Sequence, residues 1–412
     1  MEINDATWNF VRQHVDDDVR QLALRGTKEA EVDLTLALQQ IAGRQTAKRK
    51  LPTWAAVDGI IFPPHLNMEQ CSSEQAARYK ANIANRLSAK DRFVDLTGGL
   101  GVDFYFMSQD FQERCYMEQD ADLCAIAEHN FRLLGLSCSV RQGSASVLLP
   151  ELPHASVIYL DPARRNEHGG RTYGIEDCTP NVLELMPLLM QKAQWVMLKL
   201  SPMLDWHKAV EQLKFVREVH IVSVDNECKE LLLILSHEQT SSLRLVCINN
   251  DQTFEMLMPD ANRAGSVSAR SKEHLCTEQG TSAHGAEDLS ASPAFLYEPN
   301  ASIMKAGCFV ELAQCYPIVP VADNSHLFLS ADEIADFPGR RFKIEAISSM
   351  NKKELSRTLS PLKSANIAVR NFPMTAEQLR KKLKLKDGGD SYIFATTAHD
   401  GTHILYICRK IG

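Results

Sequence analysis

The residues best suited to chemistry lie in the segment Asp95-Leu-Thr97-Gly-Gly99-Leu-Gly101, where an acid that ends a predicted strand runs into a glycine-rich turn. Such a turn lets the backbone approach a ligand closely at the carboxyl edge of a sheet. A buried carboxylate with no basic side chain beside it suits a cationic ligand. The segment therefore predicts a site for a nucleotide-like ligand, lined by Asp95, Thr97, Gly99 and Gly101.

Two other strand ends carry polar residues that could share this site. Glu118 ends the second predicted strand, about where an acid would accept hydrogen bonds from both hydroxyls of a ribose. Asp161 and Pro162 follow the fourth predicted strand, and the proline fixes the turn there. Arg164 and Arg165 come next. They could contact phosphate through charge-assisted hydrogen bonds or pair with acids of the fold, and both interpretations stay open.

An alternation of strands and helices must position these residues. Seven short apolar runs predict strands, and helical spacing between most of them predicts covering helices. The predicted strands are Phe93–Leu96, Cys115–Met117, Cys138–Arg141, Val157–Leu160, Val196–Leu200, His220–Val224 and Leu231–Leu235. This pattern is typical of a doubly wound, mostly parallel α/β sheet. The last two strands are too close for a crossover helix, so we expect an antiparallel hairpin at the end of the sheet.

The regions on either side of the sheet differ in composition. Residues 1–90 have apolar positions at helical spacing and predict a helical domain ahead of the sheet domain at 91–240. Residues 241–295 are assigned to a linker or long loop, because 259–293 are poor in large apolar side chains.

The remainder of the chain predicts a smaller α+β region. A strand is expected at Phe309–Leu312, and a helix is expected after Thr375, a candidate N-cap. Lys381 and Lys382 belong to a basic cluster on that helix. Such a cluster is more often a solvated helix face than a phosphate-binding surface, and both interpretations stay open.

The overall composition excludes several classes of protein. No run of about 18 apolar residues predicts a membrane helix. The start Met-Glu-Ile-Asn-Asp lacks the order of a signal peptide, so a cytoplasmic location is expected. No cysteine pair has Cys-x-x-Cys spacing, and no metal site is predicted. The formal net charge of −7 argues against an indiscriminate nucleic-acid binder but allows a local basic surface.

The glycine-rich segment resembles the acid-x-Gly-x-Gly-x-Gly motif of class I methyltransferases, with Thr97 in place of the first glycine. The resemblance implies S-adenosylmethionine as the cofactor, with Asp95 meeting its amino group. It implies that Glu118 binds the ribose and that Ser144 lies near the adenine. The stretch as far as Asp103, a further candidate cofactor residue, also resembles a group of ribosomal-RNA guanine-N2 methyltransferases.

The Asp161-Pro162 pair resembles the Asp/Asn-Pro-Pro-aromatic motif of enzymes that methylate amino groups in nucleic acids. The resemblance implies that these two residues are catalytic and that they direct the lone pair of the target amine at the methyl group. Such an in-line displacement depends mostly on orientation and proximity. The sequence departs from the motif at Ala163 and at Arg164, which replaces the aromatic residue that would stack on a flipped base. Tyr173 is a candidate substitute.

Over nearly its whole length the chain resembles a bacterial family of class I methyltransferases with a THUMP-like C-terminal domain. The resemblance rests on residues 40–54, 69–74, 95–103, 160–165, 297–307 and 370–383. It implies a Rossmann-like seven-stranded sheet with helices before it, then a ferredoxin-like unit at 296–345 and a THUMP-like domain at 346–412. THUMP domains elsewhere position structured RNA, so RNA is implied as a partner, with Lys381 and Lys382 as candidate contacts.

Three functions are compatible with these observations. The Asp-Pro pair favours an RNA methyltransferase that acts on an exocyclic base amine. The net charge of −7 favours a methyltransferase for a protein or a small molecule. The missing aromatic residue at Arg164 allows an RNA-binding protein that no longer catalyses. A nicotinamide enzyme is disfavoured, because Phe104 replaces the third glycine of the dinucleotide fingerprint.

Overall fold

The computed structural model describes residues 3–87, 89–164, 174–238, 242–259 and 293–411 of the chain. The chain divides into two compact units, Met1–Val219 with Glu230–Ser241, and His220–Lys229 with Ser242–Gly412. Among the helices of the described residues, none has the length and apolarity that crossing a bilayer requires.

In the described part of the chain, six helices precede the first strand. They are α1 Asp5–Gln13, α2 Val19–Arg25, α3 Leu34–Lys50, α4 Pro52–Ala55, α5 His65–Gln70 and α6 Glu74–Leu87. The first three start at an Asn or Asp whose side chain accepts a backbone N–H three residues later: Asn4, Asp18 and Asp33. These caps satisfy amide groups that the first helical turn leaves without partners.

The first sheet contains the strands that the sequence predicts, with helices between most of them. Its strands are β1 Arg92–Asp95, β2 Glu113–Glu118, β3 Ser139–Gln142, β4 Ala155–Leu160, β7 Ala193–Leu200, β8 Val216–Val224 and β9 Glu227–Ser236. The helices are α7 Val102–Met107, α8 Ala121–Leu133, α9 Ala145–Leu148, α10 Val182–Lys192 and α11 Trp206–Gln212. A separate two-stranded ribbon pairs β5 Ala163–Arg164 with β6 Cys178–Thr179.

The order of these seven strands is β3-β2-β1-β4-β7-β9-β8. Strands β1 to β4 and β7 pair in parallel, and β9 runs antiparallel to β7. Asp225 and Asn226 join β8 to β9 with φ angles of 52° and 60°. Positive φ at both residues is typical of a two-residue hairpin turn. The predicted hairpin is therefore present, and its final strands reverse direction as expected.

The hairpin is not the end of the sheet, because β10 Ser242–Asn249 and β11 Gln252–Pro259 continue it beyond β8. The assignment of residues 242–259 to a linker is therefore wrong. Leu243, Leu245, Phe254 and Met256 are buried. Apolar residues that alternate in this way on paired strands are buried on one face of a sheet, and a surface loop offers no such face. Residues 260–292 of the expected linker lie outside the described residues.

A second sheet occupies the C-terminal part of the chain, in the order β13-β14-β12-β15-β18-β17-β16. Its strands are β12 Phe295–Pro299, β13 Val319–Pro320, β14 Phe328–Ser330, β15 Gly339–Ser349, β16 Asn366–Arg370, β17 Ser391–Thr397 and β18 His403–Ile411. The helices of this part are α12 Ala301–Ala306, α13 Phe309–Cys315, α14 Lys352–Leu359 and α15 Ala376–Leu383. Thr375 caps α15 as predicted, and its hydroxyl accepts the Gln378 amide.

The strand predicted at Phe309–Leu312 is wrong, since these residues begin α13. A run of so few apolar residues does not distinguish a strand from one face of a helix. In the structure Leu312 is buried whereas Val310 is 64% exposed. One-sided burial of this kind suits a short surface helix.

Candidate functional site

The glycine turn after β1 is shaped by close packing. A Cβ atom on Gly98 would come within 2.0 Å of the Tyr116 ring, and one on Gly101 would come within 2.5 Å of the Phe131 ring. Gly101 has a φ of 86° and immediately precedes α7. The Tyr116 hydroxyl donates a hydrogen bond to the carbonyl of Gly99. The aromatic residues of β2 and α8 thus set the path of the turn, and a side chain at Gly98 or Gly101 would displace it.

Asp95 ends β1 as a carboxylate of which only 1% is exposed. Burial raises its pKa well above the ordinary value, although the amide of Thr97 donates a hydrogen bond that opposes the shift. The negative charges of Asp103, Asp161 and Glu118 raise this pKa further. No Lys or Arg pairs with Asp95 among the residues that the structure describes. This concentration of acids favours a ligand that brings positive charge.

Glu118 is fixed at the end of β2 by two amide groups. Its Oε2 accepts the N–H of Gly99 at 2.8 Å, and its Oε1 accepts the N–H of Asp120 at 3.0 Å. The amide of Gly143 donates to the Glu118 carbonyl at 2.9 Å, which brings the loop after β3 to the same strand end. Ser144 follows in that loop and precedes α9. The structure therefore places Glu118 and Ser144 around the end of β2.

Thr97 joins the glycine turn to the end of β4. Its hydroxyl accepts the backbone N–H of Asp161 at 2.6 Å. The side chain of Asp161 accepts a hydrogen bond at Oδ2 from Lys199 Nζ of β7, at 2.5 Å. Burial alone would lower the pKa of Lys199, but Asp161 and two further carboxylates raise it above the ordinary value. Lys199 thus stays charged and holds one oxygen of Asp161, beside the buried ring of Pro162.

A buried charged network lies next to this pair. Lys80 of α6 has no exposed surface, and its Nζ lies 3.0 Å from Asp103 Oδ1 and 2.8 Å from Glu230 Oε2. The hydroxyls of Tyr159 and Ser72 both donate to Asp103 Oδ2, at 2.7 and 2.8 Å. Burial opposes ionisation of Asp103, but Lys80, Lys199 and the hydroxyls of Tyr159 and Ser72 together outweigh it, and the pKa is lowered. Asp103, which the sequence predicts to bind the cofactor, therefore already forms an ion pair and hydrogen bonds with other side chains of the protein.

Comparisons with known proteins give a solved structure that matches over the whole chain. A protein from Porphyromonas gingivalis W83 that is assigned as a methyltransferase is 27% identical, with 100% of both chains covered and a TM-score of 0.82. Family models match a ferredoxin-like domain at residues 295–338 and a THUMP domain-like region at residues 339–410. The chain therefore has a methyltransferase fold, followed by ferredoxin-like and THUMP domain-like regions.

A second solved structure is less similar to this chain. It is assigned as a class I S-adenosylmethionine-dependent methyltransferase of Listeria monocytogenes, at 10% identity and a TM-score of 0.38. The match covers 60% of this chain and 94% of that one. A search of curated proteins found no match.

The polar groups of the methyltransferase site suit S-adenosylmethionine, the cofactor of this class. The molecule carries an ammonium group, a sulfonium group and two ribose hydroxyls. Asp95 is a buried acid without a cationic partner among the described residues, so a cation beside it would remove an unfavourable charge. The oxygens of Glu118 accept backbone amides and retain capacity for further donors. The residues present could therefore hold this cofactor.

The arginines that follow Pro162 are only partly placed. The backbone of Arg164 lies in β5, opposite Cys178 of β6. Arg165 lies outside the described residues, as does the candidate aromatic residue Tyr173. The choice between phosphate contacts and internal ion pairs for the two arginines thus stays a prediction.

Lys381 and Lys382, the predicted RNA contacts, lie in the last turn of α15. In sequence they are far from Asp95. Both Lys381 and Lys382 are exposed. Lys381 pairs with Glu377 one turn earlier at 2.9 Å, and Arg380 pairs with Asp387 at 2.5 Å. Part of the positive charge of this helix is therefore balanced locally.

Three charged residues of the site were not expected from the sequence: Lys80, Lys199 and Glu230. Lys199 stands in a mostly apolar strand, and Lys80 lies at helical spacing from the buried residues Ala77 and Ala84. A charged residue at such a position is rarely buried unless it is paired. That pattern could have identified both lysines, although not their partners.

Proposed function

We propose that this methyltransferase transfers the methyl group of S-adenosylmethionine to an exocyclic base amine in structured RNA. The observation that carries the proposal is the direct connection between an acid-lined site at Asp95 and the Asp161-Pro162 strand end, through the backbone amide and the hydroxyl of Thr97. A methyl donor and an acceptor bound at these two strand ends would be adjacent. Adjacency and alignment are the main requirements of methyl transfer.

On the donor side, each assigned residue has a distinct task. The cofactor supplies an electrophilic methyl group on a sulfonium. Asp95 would pair with its ammonium group, and Glu118 would accept hydrogen bonds from the ribose hydroxyls. The open space around Gly99, where a Cβ would meet nothing within 4 Å, leaves room for a ligand against the turn. Ser144 is assigned to the neighbourhood of the adenine.

On the acceptor side, Asp161 orients the amine. Because Lys199 occupies Asp161 Oδ2, the other oxygen is the one that would accept an N–H of the target amine. That hydrogen bond would point the nitrogen lone pair at the methyl carbon. As the N–C bond forms, the S–C bond would break and S-adenosylhomocysteine would leave, and the surplus proton would pass from the nitrogen to water. Lys199 is a positioning residue in this scheme, and its raised pKa prevents it from acting as a base.

The RNA part of the proposal is supported by the C-terminal domain. The THUMP domain-like match spans residues 339–410, and such domains elsewhere position RNA. A likeness of this kind supports a substrate class and no individual RNA. One observation favours a different acceptor: Glu377 and Asp387 balance charges on α15, and the chain has a net charge of −7. A protein substrate is therefore the second candidate.

The test compares methylated nucleosides in RNA from a strain that lacks the gene with those of its parent. We expect one methylated base to be absent, and to return when the parent gene is restored but not when Asp161→Ala is supplied. Purified protein with labelled cofactor should then modify RNA from the deletion strain and not RNA from the parent. Labelling of a protein in the deletion extract, with no change in RNA, would favour the second candidate.

A further inference from the structure

A polar cleft of about 360 Å³ lies within the second unit, apart from the residues assigned above. The turns of β8–β9 and β10–β11 form one side, and the start of β15 and the end of β18 form the other. Its volume is in the range of about 300–1,000 Å³ that small-molecule sites occupy. The cleft is therefore large enough for a ligand of roughly nucleotide size.

One wall of the cleft carries an excess of positive charge. Among the described residues, Arg340, Arg341 and Lys410 line the cleft together with one acid, Asp251. Arg340 donates to Glu298, which is 3% exposed. Arg370 also donates to Glu298, at 2.7 Å. Two guanidinium groups on one carboxylate leave unbalanced positive charge next to the cleft, in a chain whose net charge is −7. An anionic group is the complement of this wall.

The other wall presents primary amides. Asn226, Asn249 and Gln252 line it. Asn226 Oδ1 accepts the Ala301 amide at 2.8 Å, and Asn249 Oδ1 accepts the Asn226 amide at 2.8 Å. These bonds orient the amide planes and direct their NH₂ groups away from the bonded oxygens. An amide offers both a donor and an acceptor, which is the pattern that matches the edge of a nucleobase.

We propose that this cleft binds one nucleotide of the RNA, with a phosphate on the basic wall and a base edge on the amide wall. The inference rests on the proposed function for its choice of RNA and adds a specific docking point to it. A free nucleotide offers the same phosphate and base, so both forms are tested. The cleft takes no part in methyl transfer and affects only where the RNA lies.

The test uses the full chain and a fluorescein-labelled single-stranded RNA of mixed sequence, with binding followed by anisotropy. The variant Arg341→Gln/Lys410→Gln removes the charge of the exposed Lys410 and that of Arg341, whose ion pair with Glu333 is long at 3.4 Å. It leaves the ion pair of Arg340 with the buried Glu298 intact. We expect affinity to fall at least about tenfold. The slope of log affinity against log salt should decrease by about 0.7 for each lost phosphate contact. Lys352→Gln/Lys353→Gln, on the exposed face of α14, makes the same charge change and should bind like the parent.

A second variant tests the amide wall. Gln252→Ala should change the ranking of poly(A), poly(C) and poly(U) while leaving the salt slope unchanged, since a base contact carries no counterion release. Affinity for S-adenosylmethionine, measured by calorimetry, should stay at the parental value in every variant.

The outcomes separate the cleft from the proposed function. If the parent binds RNA and the Arg341/Lys410 variant binds equally well, the proposal that the cleft binds RNA is wrong, while the proposed RNA methylation is unaffected. If AMP or UMP saturates the cleft without displacing the RNA, the site belongs to a free nucleotide and the inference is overturned. If the parent does not bind RNA and the deletion strain lacks no methylated nucleoside, both proposals are wrong.

Discussion

Among the single residues of the site, Asp95 has a carboxylate that the free protein does not neutralise. It is buried at a strand end, and the acids Asp103, Asp161 and Glu118 lie near enough to raise its pKa. A buried charge of this kind destabilises the folded protein unless a partner compensates it. Ligand binding and folding therefore place opposite demands on the same side chain.

The variant Asp95→Asn separates these demands, because an amide oxygen can still accept the Thr97 N–H while the charge is lost. We expect affinity for S-adenosylmethionine to fall at least about tenfold by calorimetry, since an ion pair with the ammonium group disappears. The melting temperature of the free protein should rise at neutral pH. The variant Asp91→Asn, an exposed acid just before β1, should change neither quantity.

The pH dependence of stability gives the same comparison a second readout. Since the pKa of Asp95 is raised by folding, its favourable contribution is present at low pH and is lost as the pH rises through the raised value. Urea unfolding of the free proteins should therefore show the parent losing stability relative to Asp95→Asn as the pH increases. A difference that stayed constant with pH would show that Asp95 is compensated in the folded protein.

The Lys199–Asp161 pair should affect turnover more than cofactor binding. In Lys199→Met the Asp161 carboxylate loses its fixed orientation, so we expect kcat to fall by about 10²-fold with little change in cofactor affinity. Combined with Asp161→Ala, the two losses should not add, because both variants remove the same oriented acceptor. Lys208→Met, on the exposed side of α11, is the control. Additive losses would contradict the assignment of Lys199 as a positioning residue.

At the level of secondary-structure elements, the buried Lys80 connects α6 to the methyltransferase sheet. Its ammonium group lies between the carboxylates of Asp103 on α7 and Glu230 on β9. A largely buried ion network contributes little compared with apolar packing, but removing one partner leaves the others uncompensated. The network therefore fixes which faces of the three elements meet.

This arrangement predicts a large effect for Lys80→Met. Two buried carboxylates would then face each other, and we expect a loss of about 3–5 kcal/mol in the free energy of unfolding, measured with urea. The triple variant Lys80→Met/Asp103→Asn/Glu230→Gln removes the charges together and should recover much of that loss. If the triple variant were less stable than the single one, the network would be a net source of stability.

The sequence predicted the elements best where several patterns agreed. Strands β1 to β4 followed from short apolar runs between helical segments, and the acids at their ends meet because parallel strands share one carboxyl edge. The β10–β11 hairpin was missed because its alternating residues were grouped with the apolar-poor stretch that follows. The pairing of Lys80 with Glu230, 150 residues later, depends on tertiary packing that no local pattern encodes.

For the whole molecule, the division into two units predicts two unfolding events. One large apolar core includes Phe93, and a separate core in the second unit includes Phe394. Both rings are fully buried. Domains with their own cores need not unfold together. Calorimetry should resolve two transitions, of which S-adenosylmethionine raises only one.

Matched variants assign the two transitions. Phe394→Ala should lower the transition that the cofactor does not raise, and Phe93→Ala should lower the other, each through a loss of about 3–5 kcal/mol. A single transition that both variants lower equally would show that the molecule unfolds as one cooperative unit.

The threonine that stands where related motifs have a glycine has one more consequence. Thr97 donates its amide to Asp95 and receives the Asp161 amide on its hydroxyl, so a single residue fastens the two strand ends together. A glycine can make only the first of these bonds. A chimera that carries the β1 turn of another methyltransferase would therefore still bind the methyl donor but would lose the alignment of the acceptor. We expect such a chimera of this protein to bind S-adenosylmethionine and to fail at the methyl-transfer step.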